Sequence, residues 1–229
     1  LMILEARRTG RTTLGEREAR EVIAAYGFRL PQNVQARTVD EAVTAAQRMG
    51  FPVALKIVSP DILHKTDVGG VRLNLQSAEA VAEGFAAIDA SVRRFFPHAA
   101  IHGIAVQEMV AGGKEVILGM TRDPSFGPLL MFGLGGIYVE VLKDVAFRVA
   151  PIGPDEAESM IREIRSFPLL RGVRGDKPSD LVAAVDALCR LSQLCVDFPE
   201  IIEMDINPLL VKPEGEGAVA IDARLGLAS

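Results

Sequence analysis

Helices and strands do not alternate strictly along these 229 residues, and that order limits the fold more than any single motif does. "TLGEREAREVIAAYG" sets Thr13 and Glu16 at capping-box spacing, followed by apolar Ala19, Val22, Ile23 and Tyr26 and by Gly27 as a stop, so a helix is expected. Thr38 and Glu41 repeat the spacing ahead of "AVTAAQRMG", which Gly50 ends. "PVALKIV" then reads as a buried strand and "GVRLNLQ" as an alternating one, with only a loop between them. Ser77 can cap a long helix over "AEAVAEGFAAIDASVRRFF", and "IAVQEMV" is a further strand. Within "AGGKEVILGMTRDPSFGPLLMFGLGG", two apolar strands flank the turn signal "RDPSFGP". "VAFRVAPIG" alternates as a strand. "PDEAESMIREIRSF" and "DLVAAVDALCRLSQLCVDF" are helices, with Pro154 near the start of the first and Pro178 just ahead of the second. "IIEMDINPLLVK" and "GAVAIDARLGL" form a final strand pair across the polar loop "KPEGEG". Runs of strands with helices interspersed predict an α+β fold rather than a doubly wound sheet. Two sheet-and-helix halves are expected to meet near Met109 to Gly113, with no internal repeat. Residues 1–30 then form a helical extension, 31–108 one lobe and 109–229 the other.

Composition narrows the function. A net charge of −5 argues against a nucleic-acid binder, which carries a basic face. Trp is absent and there are only two Tyr, so stacking platforms for single strands are lacking. An anionic ligand stays open, because local placement of Lys and Arg outweighs the sum. There is no run of about 18 apolar residues to cross a membrane. The start, "LMILEARRTGRTTLGE", has no h-region or cleavage site of a signal peptide. Cys189 and Cys195 make no CxxC pair and read as buried thiols of a cytoplasmic protein.

Chemistry concentrates in a few stretches. Lys56 sits inside the apolar strand Val53 to Val58, where an ammonium must turn outward or meet an anion. The next loop, "DILHKTDVGGV", adds His64 and Lys65, and Gly69–Gly70 would let backbone N–H groups approach a ligand; together these suggest a phosphate site. "GLGG", Gly133 to Gly136, follows a strand and is open to a reading as a mere tight connection. Neither GxxxxGK[ST] nor GxGxxG occurs, so a phosphate site here needs another nucleotide fold. In "EMDINPLL", Asp205 and Asn207 alternate with Met204 and Ile206 and share a face, while Asp222 lies on the next strand in "AIDAR". Oxygen ligands converging from adjacent strands suit Mg²⁺ on phosphate oxygens. For Asn207 alone, a turn role before Pro208 is the competing reading. His98 and His102 read as surface residues, Arg148 and Asp144 as weak candidates for phosphate or metal, and "RGVRG" as a solvated loop.

"FPVALKIVSPDILHKTDVGGVRLNL", "VQEMVAGGKEVILGMTRDPSFGPLLMFGLGG" and "EMDINPLLV…AIDAR" together resemble the ATP-grasp domain, β subunit or fused C-terminal part, of ADP-forming (NDP-forming) acyl-CoA synthetases. The likeness runs from about Gly15 to Gly226 in the family's order; that to succinyl-CoA synthetase β subunits is shorter. It implies an ATP-grasp fold with ATP or ADP between two α+β lobes. Lys56 would contact the phosphates, Gln107, Glu108, Met109 and Val110 would form the hinge that hydrogen-bonds adenine, and Glu115 would bind the ribose. Asn207 and Asp222 would hold Mg²⁺, with Asp205 the fallback ligand. His64 would carry the phosphoryl group on a loop hinged by Gly69 and Gly70. The implied reaction is acyl-CoA + ADP + phosphate ⇌ carboxylic acid + CoA + ATP. The implied partner is a CoA-binding ligase module, on a separate subunit or in the same polypeptide, since no acyl or CoA pocket is recognisable here.

Two rivals stand beside this. A regulatory or assembly module in a fused acyltransferase would bind ATP without turnover, which intact Lys56, Asn207 and Asp222 disfavour. A carboxylate–amine ligase would need no phosphohistidine, which His64 disfavours. Leu1 at the start, without an initiator Met, is open to two readings, a separate β subunit or an excised domain of a longer polypeptide, with the excised domain slightly favoured.

Overall fold

The computed structural model describes residues 2–62, 65–136, 139, 141–173 and 175–228. His64 falls outside them. The chain divides into two compact units, residues 31–111 and residues 1–30 with 112–229.

The smaller unit holds strands β1 (Asn33–Ala36), β2 (Val53–Val58), β3 (Val71–Leu75) and β4 (Gly103–Glu108) in the order β1-β4-β2-β3. Every neighbouring pair is antiparallel. Helices α3 (Val39–Met49) and α4 (Ala78–Phe95) share its apolar core, where Ala42, Ala46, Leu55, Ile57, Ile88 and Val106 are buried. The caps are those the sequence implies. The Thr38 hydroxyl accepts the Glu41 N–H at 3.2 Å, and the Ser77 hydroxyl accepts that of Ala80 at 3.2 Å. Gly50 closes α3 at φ 87°, a conformation costly for any residue with a Cβ.

The larger unit is built on a six-stranded antiparallel sheet, ordered β10-β8-β5-β6-β7 with β9 also pairing β8. Its strands are β5 (Lys114–Asp123), β6 (Gly127–Leu134), β7 (Val145–Val149), β8 (Ile201–Val211), β9 (Ala218–Ala220) and β10 (Ala223–Leu227). The turn between β5 and β6 is held by Asp123, whose carboxylate accepts the N–H groups of Ser125 (2.7 Å) and Phe126 (2.9 Å). Helices α1 (Met2–Arg8), α2 (Glu16–Ala25), α5 (Pro154–Glu163), α6 (Phe167–Leu170) and α7 (Leu181–Asp197) bury apolar residues in one core with this sheet. Arg122 joins the end of α7 to the start of β8: its guanidinium donates to the carbonyls of Cys195 (2.7 Å) and Ile201 (2.9 Å).

Several expectations change. Residues 1–30 are part of the larger unit, because Ile3, Ala6, Leu14, Ala19, Val22 and Ile23 are buried in its core. The units divide at 30/31 and 111/112, not at 108/109. The first capping box shifts by two residues: Glu18 reaches back to the Gly15 N–H at 2.9 Å. Thr13 instead bridges Gly226, lengthening the sheet beside β10. The helix expected over "PDEAESMIREIRSF" stops at Glu163, and the last strand breaks into β9 and β10 around Ile221 and Asp222. Among the described residues, no helix is long and apolar enough to cross a membrane.

Candidate nucleotide and metal site

In the smaller unit, Val53, Leu55 and Ile57 turn into the core beneath α3 and α4. Strand alternation therefore sends Lys56 to the other face, where it is half-buried. Ala105 lies directly across on β4 and Ala54 pairs with Gln107, so Lys56 and Gln107 are diagonal neighbours on one face. Gln107 is only 3% exposed. A cation and an amide thus stand together on the face that carries no helix of this unit.

The segment after β4 is stapled at its start. Glu108 donates its N–H to the Gln32 carbonyl and accepts the Gln32 N–H on its carboxylate, both at 3.0 Å. The Met109 N–H goes to the Pro52 carbonyl at 3.3 Å, and its sulfur accepts the Asn74 N–H at 2.9 Å. The Glu108 carboxylate is thereby bonded to the backbone of Gln32.

The glycines of the loop before β3 also do something other than expected. The Gly69 N–H bonds the Thr66 carbonyl at 3.0 Å, and that of Gly70 bonds the Lys65 carbonyl at 2.7 Å. Neither is offered outward. Gly69 has φ +65°, and a Cβ on Gly70 would stand 2.6 Å from Ile57 Cγ2. These residues close a tight turn against β2 rather than cradle an anion. The turn is held from α4 by Ser91, whose hydroxyl donates to the Val68 carbonyl at 2.8 Å. On the other side of the loop, Asp61 accepts the Ala100 N–H at 2.7 Å, and Ile62 is buried.

In the larger unit, Met204, Ile206, Val116, Leu118, Met120 and Phe132 face the helices. The alternate residues form an open face with two characters. One side is apolar, with Phe147 and Val149 exposed on β7, where they pair with Met131 and Leu129 on β6. The other side is polar, with Glu203, Asp205 and Asn207 on β8 and Arg224 opposite Asp205 on β10. Glu115 is exposed on β5, and its carbonyl accepts the Gly135 N–H at 2.7 Å, so the "GLGG" turn folds against it. Beyond that turn, Asp144 is buried and accepts the N–H groups of Arg165 (2.8 Å) and Ser166 (2.7 Å). A reaching role for Asp144 is thus replaced by an anchoring one.

Asn207 and Asp222 do come together. Asp222 lies in the break between β9 and β10, not within a strand, and its carbonyl accepts the Asn207 N–H at 3.1 Å. The Ile221 N–H bonds the Pro208 carbonyl at 3.0 Å, and Asp222 Oδ1 accepts the Ala223 N–H at 2.9 Å. Burial raises the Asp205 pKa above the usual carboxylate range; Arg224 pulls it down, while Asp222 and Glu203 push it up. Asp205 therefore feels both neighbouring carboxylates. Among the described residues, no group of three or more His, Cys, Asp or Glu is placed to hold a metal. One amide oxygen and one carboxylate fit a hard cation that keeps waters and takes its remaining oxygens from phosphate. Mg²⁺ meets that description, whereas a structural zinc site does not.

Compared with known families, residues 5–227 match the ATP-grasp domain model. The chain belongs to the ATP-grasp family. The ATP-grasp chain is 46% identical over 225 residues to the acetate–CoA ligase [ADP-forming] II subunit β of Pyrococcus furiosus, with 98% of this chain and 95% of that one covered. It is 47% identical over 223 residues to the 4-hydroxybutyrate–CoA ligase [ADP-forming] of Nitrosopumilus maritimus, covering 97% of this chain but 32% of that protein. It thus spans nearly all of one relative and about a third of the other. Among solved structures, the dinucleotide forming acetyl-coenzyme A synthetase 1 of Ca. Korarchaeum cryptofilum, in complex with coenzyme A, Ca-AMPCP and HgCl⁺, matches with TM-score 0.94 and 46% identity. That match covers 99% of this chain and 98% of the other. A second structure of the protein, with coenzyme A and Mg-AMPPCP and its phosphohistidine segment pointing towards the nucleotide binding site, matches with TM-score 0.85 and 43% identity over the same shares.

Proposed function

We propose that this chain is the nucleotide-handling part of an ADP-forming acyl-CoA synthetase, working with a CoA-binding ligase module to interconvert acyl-CoA, ADP and phosphate with carboxylic acid, CoA and ATP. The observation that carries the reading is the backbone bond from the Asn207 N–H to the Asp222 carbonyl, which sets these two residues side by side at the break between β9 and β10. It stands in a chain similar almost end to end to a protein solved with Mg-AMPPCP. The reading makes the protein an enzyme component of the cytoplasm, with small-molecule substrates and a protein partner.

Phosphoryl transfer leaves a protein mainly the tasks of positioning and neutralising charge. Lys56 contributes a cation to the nucleotide phosphates from β2, an interior strand of the smaller sheet. Bound Mg²⁺ would neutralise charge on the phosphate oxygens, held by the Asn207 amide oxygen and the Asp222 carboxylate. A base at residues 107–110 would meet carbonyl oxygens and the Met109 and Val110 side chains, because the Glu108 and Met109 N–H groups already serve Gln32 and Pro52. Glu115, exposed at the head of β5, is the group for ribose hydroxyls. His64 is the carrier. A lone pair on its neutral imidazole bonds the γ-phosphorus while the bond from phosphorus to the bridging oxygen breaks, and ADP leaves with that electron pair. Gly69 and Gly70 shape the turn behind the loop rather than touch phosphate.

Lys56→Ala tests the nucleotide half. With the ligase module present, calorimetry is expected to show ADP affinity at least about tenfold weaker, or about 1.4 kcal/mol. Affinity within twofold of the native protein would remove Lys56 from the phosphates.

A further inference from the structure

Arg20 lies in α2, within the N-terminal residues that join the larger unit, and it is 8% exposed. An arginine stays that deeply buried only when its donors and charge are answered. Its Nη1 donates to the Ile221 carbonyl at 3.4 Å. Its charge is attracted by two carboxylates, Glu16 one helical turn earlier and Asp222. Ile221 and Asp222 occupy the break at which pairing with β8 passes from β9 to β10. On one side of that break backbone bonds run to Asn207 and Pro208; Arg20 reaches it from α2.

We infer that Arg20 is a positioning residue for the divalent-cation site at Asn207 and Asp222, acting through the Ile221–Asp222 backbone. The inference rests on the metal reading above. Mg²⁺ demands near-octahedral geometry at about 2.0–2.1 Å and tolerates a displaced ligand poorly, so whatever fixes this peptide tunes the site. A cation near Asp222 has an opposing effect, since it competes with the metal for the carboxylate. Glu16 also attracts the Arg20 charge, which lessens its competition with the metal. Loss of Arg20 therefore weakens metal binding rather than strengthening it.

The test titrates Mg²⁺ against nucleotide binding in the complete protein. Arg20→Met keeps the apolar stem and removes the guanidinium. The Mg²⁺ concentration at half-saturation is expected to rise about fivefold or more, with nucleotide binding in EDTA unchanged. Arg20→Lys restores charge but not the planar fork, and about a twofold rise is expected. A purely structural role would lower the unfolding midpoint and leave the Mg²⁺ half-saturation where it was, which overturns the inference. If Arg20→Met does not fold, Arg20→Lys decides in the same way: a rise supports, no change overturns. Asp222→Asn separates the two readings. A shift in Asp222→Asn with none in the Arg20 variants rejects Arg20 alone; no shift in either rejects the metal site itself.

Discussion

His64→Ala is expected to abolish the overall interconversion of acyl-CoA and ATP, to below about a thousandth of the native rate, while ADP affinity with Mg²⁺ stays within about twofold. Removing a covalent carrier eliminates the path, whereas removing a phosphate contact costs only the charge-assisted hydrogen bond, about 1.5–3 kcal/mol. That gap is why turnover and binding must both be measured. Neutral imidazole is a competent nucleophile for phosphorus. Substantial turnover in His64→Ala would reduce the residue to a contact and move the chemistry onto the partner module.

Asp180→Ala is expected to lower stability by roughly 3 kcal/mol, a large effect for a change distant from the site. The carboxylate caps α7 by accepting the Ala183 N–H at 3.0 Å. It also ties down the β8–β9 loop through the N–H groups of Gly215 (3.0 Å) and Gly217 (2.9 Å). Asp180 is buried, so losing it leaves these donors without an acceptor and away from water. For a protein of this size the unfolding midpoint should fall by roughly 6–12 °C. Burial alone would raise the Asp180 pKa, but the N–H groups of Ala183, Gly217 and Gly215 outweigh it and hold it below the usual range. Asp144 behaves alike: burial raises its pKa, and bonds from Ser166 and Arg165 lower it further than that. With folded pKa values depressed, the stability from both groups is present above the unfolded carboxylate value, about 3.9, and lost as pH falls through the folded values. Thermal melts from pH 6 to pH 3 should show the native protein losing more than Asp180→Ala does. Parallel loss in both would contradict this role for Asp180.

Local features were legible in the sequence. Thr38 and Ser77 announced their helices because a cap acts over three residues, and "RDPSFGP" announced its turn through Asp123 for the same reason. The alternation in "EMDINP" placed Asp205 and Asn207 on one face because a strand has period two. Features built across the chain were not legible. Arg20 meets Ile221 across 201 positions, and no composition or spacing connects them. Thr13 had the spacing of a cap, yet its backbone joined Gly226, so tertiary pairing overrode a local signal. Gly69–Gly70 showed the same limit. Two glycines announce a tight backbone, but only packing against Ile57 and the Lys65 carbonyl reveals what that backbone is for. The break at Ile221–Asp222 was hidden because "AVAIDARLGL" is apolar enough to read as a continuous strand.

The most direct test of the account is transfer of label from γ-phosphate-labelled ATP with Mg²⁺ to the complete protein, followed by acid and base treatment and peptide mapping. A phosphohistidine at His64 gives a label that acid removes and base does not, located on the peptide containing His64 and discharged by added ADP. No protein-bound label in a preparation that binds ATP, or an acid-stable label elsewhere in the chain, would contradict it.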